Sequence, residues 1–272
     1  MTATLSLVEA TLRGRRSVML WFGLVGAALG LLMASLYETV IQGIDMQQYL
    51  DTMPEELMAV FGMSSEGITD GVFPFETYLA TEFFIWFSWG VAVWGLIAGC
   101  GLIAGEVENG TIDMMLAQPV RRERYILARF AGVLAVLLVI ALACWVGLLA
   151  GLTMTDVETS ILGLLMACLQ MALLGLAVAG VALVISVWTL GTRRSQMIMV
   201  GILLVQYVMD LAAKISADLE WLGPLSVFHY FDPADIVRTG APAGMAIVVL
   251  VGVATIGAAA ATMLFARRDM AR

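Results

Sequence analysis

The chain of 272 residues is 61% hydrophobic and 13% charged, with a formal net charge of −8 and a mean hydropathy of +0.95. Ordinary soluble domains carry about 25% charged residues, so this composition excludes a soluble globular domain and places the chain among polytopic membrane proteins. The net charge carries no message about nucleic acid, because a membrane protein sorts its charges by side and is read loop by loop.

Residues 2–16 set Leu5, Val8 and Leu12 along one helical side and Glu9, Arg13 and Arg16 elsewhere. This pattern predicts a short interfacial helix, residues 1–17, lying on one leaflet before the chain turns into the membrane. Six apolar spans follow, at about 18–36, 78–104, 126–150, 160–188, 196–213 and 242–266, each long enough to cross a hydrocarbon core of roughly 30 Å at about 1.5 Å per residue. The first is read as a retained helix, since its apolar run exceeds the usual signal-peptide core of about 7–15 residues and no small-x-small cleavage site follows.

The loop 37–77 carries Glu38, Asp45, Asp51, Glu55, Glu56, Glu66, Asp70 and Glu76 and no basic residue. These acids are scattered, whereas a calcium loop needs tight alternate spacing around a glycine turn, so no metal site is expected. Thr52-Met53-Pro54-Glu55 reads instead as a capping box that opens an amphipathic helix burying Leu57, Met58, Val60 and Phe61 and stopping at Gly62.

The second span holds Glu82 near one end, with Trp86 and Trp89 at helical spacing on the same side. An acid inside a membrane helix is a candidate pathway residue, because burying it unpaired is costly. In a first turn it also sits beside the positive end of the helix dipole and within reach of interfacial water. Both readings stay open for Glu82, Trp86 and Trp89. The other end of this span carries Gly95, Gly99, Gly101 and Gly105, small residues at spacings that let another helix approach closely, as do Gly26 and Gly30 in the first span.

Between the second and third spans lies GEVENGTIDMMLAQPVRRERY, residues 105–125. Asn109-Gly110 is a breaker or cap, 111–117 is helix-capable and Pro119 forbids smooth continuation. Ile112, Met115 and Leu116 fall at i, i+3 and i+4 and make one small apolar face that requires a partner.

Further on, polar groups inside the spans are sparse. Gln170, Gln196, Gln206 and Asp210 are expected to form interhelical hydrogen bonds, worth about 1 kcal/mol each. Cys100, Cys144 and Cys168 fall singly in three spans and read as small apolar packing residues. The segment 214–241 is too apolar for a free loop and, with Gly223-Pro224 and Asp232-Pro233, too broken for a span. It predicts two short re-entrant or interfacial helices. It holds the single histidine, His229, which without further His or Cys partners points to neither a catalytic dyad nor a zinc site.

Apart from Lys214 and Arg238, every basic residue falls at one side of this arrangement: at the N-terminus, in 121–129, at Arg193 and Arg194, and after the last span. The positive-inside rule therefore puts both termini and residues 105–125 in the cytoplasm.

The motif GEVENGTIDMMLAQPVRRERYILARF resembles the G-E-x-x-x-G-T-(hydrophobic)-x-x-L-L-x-x-P-V-x-R-x-x-Y signature of type-two ABC exporter permeases. Gly105, Glu106, Gly110, Thr111, Leu116, Pro119 and Val120 match; Met115 replaces the first leucine, and Arg122 or Arg124 stands for the usual arginine. The segment 221–230, WLGPLSVFHY, is similar to the family's W-L-x-P-L-x-x-F-x-Y. The long acidic loop is most similar to the branch that includes multi-copper-enzyme maturation and antibiotic or lipid export permeases.

The resemblance implies an all-α permease with an interfacial N-terminal helix and six spans, serving as the plasma-membrane subunit of an ABC exporter. It implies no catalysis and no bound cofactor on this chain: ATP and magnesium belong to a separate ATPase subunit, in agreement with the absence of a G-x-x-x-x-G-K-[ST] phosphate loop. The stretch 105–125 becomes the coupling helix, with Ile112, Met115 and Leu116 seated in a groove of the ATPase. Arg121, Arg122 and Arg124 pair there with acids or anionic lipid, and Glu106 and Glu108 anchor the inner end of span two against neighbouring basic groups. Two permease subunits are expected, as a homodimer or with a second, non-identical permease. A hydrophobic or amphipathic substrate, lipid or drug-like, fits the apolar bundle. The alternative is an ATP-independent secondary transporter or channel, against which stands the absence of an internal repeat and of a midplane charge.

Overall fold

The computed structural model describes residues 2–43, 74–110 and 122–267. Among them the chain is helical with no strand: α1 (Thr2–Gly43), α2 (Phe75–Gly101), α3 (Ala104–Glu108), α4 (Arg122–Leu152), α5 (Ile161–Thr189), α6 (Thr192–Ile215), α7 (Pro233–Thr239) and α8 (Gly244–Arg267). Six of these, α1, α2, α4, α5, α6 and α8, are long and apolar enough to cross a membrane. They coincide with the six expected spans to within several residues, and the chain is an all-α polytopic membrane protein. The capping box at Thr52 and its helix lie outside the described residues.

One expectation is corrected at the N-terminus. Residues 2–16 are helical, but they run without a break into the first span as part of the single helix α1, so the chain does not turn there. Gly14 is the only glycine in the stretch, which has no proline, and one glycine, at about 1 kcal/mol relative to alanine, does not end a helix whose neighbours propagate it. At 1.5 Å per residue α1 is roughly 60 Å long, about twice the hydrocarbon thickness, so its ends project beyond it.

Spans that run in the same direction pair along their lengths, which their register shows. Thr11, Ala27 and Leu31 of α1 face Gly132, Gly147 and Gly151 of α4; Gly95 and Gly99 of α2 face Gly175 and Ala179 of α5; and Gly180 of α5 faces Ala254 and Gly257 of α8. Small residues sit at each crossing because close approach of backbones, more than burial of large apolar groups, drives helix association in lipid. The hub is α5: 72% of its most apolar window is buried, against 17% for α6 and 28% for α8. The three cysteines are buried and unbridged, Cys168 on α5 beside the hub contacts and Cys144 opposite Gly26, which is the packing role expected of them.

After α6 the chain makes three short pieces where two were expected: 3₁₀ turns at Ala217–Leu225 and Phe228–Tyr230, then α7. Val227, Phe228, Ile236 and Val237 are buried, so the segment packs into one end of the bundle. Its irregular backbone requires hydrogen bonds from elsewhere, because lipid supplies none. Gln170 Nε2 donates to the carbonyl of Tyr230 (3.1 Å) and Gln206 Oε1 accepts from Val227 N–H (3.4 Å). These two glutamines therefore satisfy the broken segment rather than linking one span to another.

Candidate functional site

The end of the bundle opposite this broken segment is organised around a break in the helix that leads out of the second span. α2 stops at Gly101 and α3 starts at Ala104, although Leu102 and Ile103 are good membrane-helix residues. A helix end leaves its last carbonyls without intrahelical partners, and here three are taken up individually. The Ala98 carbonyl accepts from Arg15 Nη2 of α1 (3.3 Å), that of Gly99 from Leu102 N–H (3.2 Å), and that of Cys100 from Ser186 Oγ of α5 (2.6 Å). The same Ser186 Oγ accepts from Ala104 N–H (2.9 Å), the first amide of α3. One buried hydroxyl thus bridges the two sides of the break.

α3 is then fixed by its two glutamates. Glu106 is 8% exposed; its carboxylate pairs with the guanidinium of Arg129 on α4 and accepts from Tyr125 Oη (2.7 Å). Arg129 in turn donates to Thr11 Oγ1 of α1 (3.3 Å) and lies over the Tyr125 ring. Arg15 extends the cluster, its guanidinium 5.8 Å from the Trp94 ring centroid, a distance at which a cation is attracted by the ring face. Glu108 is exposed and meets no basic group among the described residues. It accepts instead from the backbone N–H of Thr192 (2.8 Å), the first residue of α6. A carboxylate there satisfies a first-turn donor and complements the helix dipole. Contact with the Thr192 side chain and its N–H holds the Glu108 carboxyl below the usual carboxylate range.

Residues 104–110 are therefore tied to α1, α4, α5 and α6 at once, directly or through one side chain. Asn109 and Gly110 close α3, Gly110 with φ +67, a conformation that glycine adopts without steric cost. They are exposed and lead into 111–121.

The chain matches the family described as ABC-2 family transporter protein over residues 13–270. It belongs to this family. No curated protein matches the chain. As an ABC-2 permease it is a multi-pass transmembrane subunit of an ABC transport system in the plasma membrane, associated with an ABC ATPase and not itself catalytic.

In this permease the residues expected to couple to the ATPase fall in two groups. Glu106, Glu108 and Gly110 are placed as described. Thr111, Ile112, Met115, Leu116, Pro119 and Arg121 lie outside the described residues, Arg122 opens α4, and Arg124 is exposed on its first turn. Of the candidate pathway residues, Glu82 and Trp86 are exposed, whereas Trp89 packs against Tyr207 and Phe228 at the far end of the bundle. Glu82 sits in a π-helical turn, Ala80–Phe84. No group of His, Cys, Asp and Glu able to hold a metal occurs among the described residues.

Sequence reasoning did not single out Ser186, Arg15, Tyr125 or Thr192. The signal for Ser186 is a lone hydroxyl in an otherwise apolar stretch of α5, ALVISVW, where a small polar residue is retained only if it has a partner. Ser186→Ala is expected to destabilise the permease by about 1–3 kcal/mol, since it strands a buried carbonyl and a buried amide. Amide exchange over 101–110 should quicken in the variant; unchanged exchange there would show that the break holds without the hydroxyl.

Proposed function

We propose that this permease is the membrane half of an ATP-driven exporter, with residues 105–125 as the element through which the ATPase moves it. ATP and magnesium are held by the separate ATPase, and both termini face the cytoplasm with residues 105–125, as the basic residues clustered at that end favour. Ile112, Met115 and Leu116 enter a groove of the ATPase, while Arg121, Arg122 and Arg124 meet its acids or the anionic leaflet.

The observation that carries this reading is the polar clamp at the root of the segment. A displacement of 111–121 is delivered to α3, and α3 holds α4 through Glu106, α6 through Glu108 and α5 through Ser186, with α1 joined by Arg15 and by Thr11. Rigid polar ties of this kind transmit a shift to several spans together, which is what alternation between two global states requires. Two permease subunits, identical in the simplest arrangement, serve two ATPases, and the cargo is hydrophobic or amphipathic.

Replacing Ile112 and Met115 together by Asp is expected to abolish co-purification with the ATPase while the permease alone keeps its unfolding midpoint, because two charges cannot enter an apolar groove without partners. Retained binding together with retained stimulation of ATP hydrolysis would overturn the assignment.

A further inference from the structure

The far end of the bundle holds a cavity that the coupling reading does not use. It has a volume of about 280 Å³, at the lower edge of the roughly 300–1,000 Å³ usual for small-molecule sites. Its walls come from three parts of the fold: Ser88 and Trp89 of α2, Tyr207 and Asp210 of α6, and Phe228 and Phe231 of the broken segment. The rings are locked together. Trp89 stacks on Phe228 with centroids 4.9 Å apart, and Tyr207 meets Trp89 edge-on at 4.8 Å.

One wall of this apolar chamber is a carboxylate. Asp210 is 4% exposed, and Lys214 Nζ lies 2.9 Å from its Oδ2. Its other oxygen, Oδ1, is buried and accepts no hydrogen bond among the described residues; His229 Nδ1 lies 4.0 Å away, beyond hydrogen-bond range. A buried carboxylate oxygen left without a donor is costly, and a site with one vacant acceptor selects a ligand that brings a donor. The rest of the lining selects for charge. Aromatic faces attract cations, and the ionisable groups around the cavity are two carboxylates, Asp210 and Asp232, against one ammonium, Lys214, with the single imidazole of His229.

We propose that this cavity binds the protonated amine of an amphipathic molecule. Its N–H donates to Asp210 Oδ1, its adjoining carbons lie on Trp89, Tyr207 and Phe228, and its apolar body leaves past Ile85 and Leu211. Lys214 holds the other oxygen, Oδ2, and competes with the ligand for the carboxylate. Binding does not depend on the coupling assignment; only its use as a station for exported cargo rests on that reading.

The test is calorimetric titration of the full-length permease, without ATPase, in phosphatidylcholine nanodiscs with 4-phenylbutylammonium. The amine should bind, and 4-phenylbutanol should bind roughly tenfold more weakly or not at all. The quaternary 4-phenylbutyl-trimethylammonium, which has charge but no N–H, should fall between them. Asp210→Asn, close to isosteric, should weaken the amine about tenfold and leave the alcohol unaffected. Lys214→Met should tighten amine binding several-fold by releasing the carboxylate, a gain that a purely structural ion pair would not produce. Equal affinity for amine and alcohol, or unchanged amine affinity in folded Asp210→Asn, would overturn the proposal. Repeating the titration in discs containing phosphatidylethanolamine separates two sources of the same chemistry: weaker apparent amine binding there assigns the site to an aminolipid head group, and equal binding assigns it to a free amine. Failure of these titrations would leave the ATPase co-purification result untouched, so the two proposals fail separately.

Discussion

Glu106→Gln is expected to lower the unfolding free energy of the permease by roughly 2–3 kcal/mol and to uncouple ATP hydrolysis from transport. The substitution keeps the shape and can still accept from Tyr125, so what is lost is the negative charge. Arg129 then stays with its side chain only 23% exposed, close to Arg15 and with no opposing carboxylate among its contacts described above. Breaking one partner of a fully buried pair costs about 3–5 kcal/mol. The partial exposure of Arg129 admits some solvent screening, which puts the expected value at the lower end or just beneath it.

Removing the stranded charge should recover most of the loss. Glu106→Gln combined with Arg129→Gln is expected to be more stable than Glu106→Gln alone, because a neutral pair in the same place carries no unpaired ion. The measurement is a double-mutant cycle by reversible unfolding in mixed micelles, followed by ATPase stimulation in the reconstituted complex. A cost below about 1 kcal/mol for the single change, with coupling intact, would reduce Glu106 to a solvated residue beside Arg129 and remove it from the clamp.

How far this arrangement can be read before folding depends on the range of the interactions. The six spans are legible because span length and hydropathy are local properties. The basic residues at one end were legible for the same reason. Gly95 and Gly99 were legible as a contact stripe, but Gly101 and Gly105 share their sequence pattern and among the described residues have no helix backbone within reach: there a side chain on Gly101 would meet only Arg15, and one on Gly105 only Thr192. What distinguishes them is the break at 102–103, and that break is held by Ser186, over eighty residues away. The partner of Glu106 was legible in kind, since a basic cluster follows it. Which arginine it meets was not, because that depends on how α4 rotates against α1.

The same limit explains the far end of the bundle. Trp89, Tyr207, Asp210 and Phe228 have no common local pattern, and they become one cavity wall only when the broken segment folds back between α2 and α6. Gln170 and Gln206 were recognisable as polar groups that need partners. That their partners are backbone groups of this segment follows only once its 3₁₀ turns leave carbonyls and amides unpaired inside the bundle.

The α2–α5 contact gives the second large expected effect. Gly95→Ala combined with Gly99→Ala should destabilise the permease by about 3 kcal/mol or more, whereas Gly201→Ala and Gly252→Ala should be neutral or stabilising by up to about 1 kcal/mol through helix propensity. All four are glycines in membrane helices, and helix propensity alone assigns them the same change. Their surroundings differ. A Cβ on Gly95 would lie 2.3 Å from the Gly175 carbonyl oxygen, and one on Gly99 would lie 2.4 Å from that of Ala179, while Gly201 and Gly252 have nothing within 4 Å. The obstructing atoms at the first pair belong to backbone, which cannot swing aside like a side chain, so α2 and α5 must separate over a full turn. Overpacking by a methyl costs about 1–3 kcal/mol where side chains can adjust, and two adjacent backbone clashes on the most buried helix belong at the top of that range. Unfolding free energies of these variants decide the matter: a loss for the Gly95 and Gly99 pair and none for Gly201 or Gly252 is expected, and equal effects would mean that α2 and α5 do not meet along this stripe.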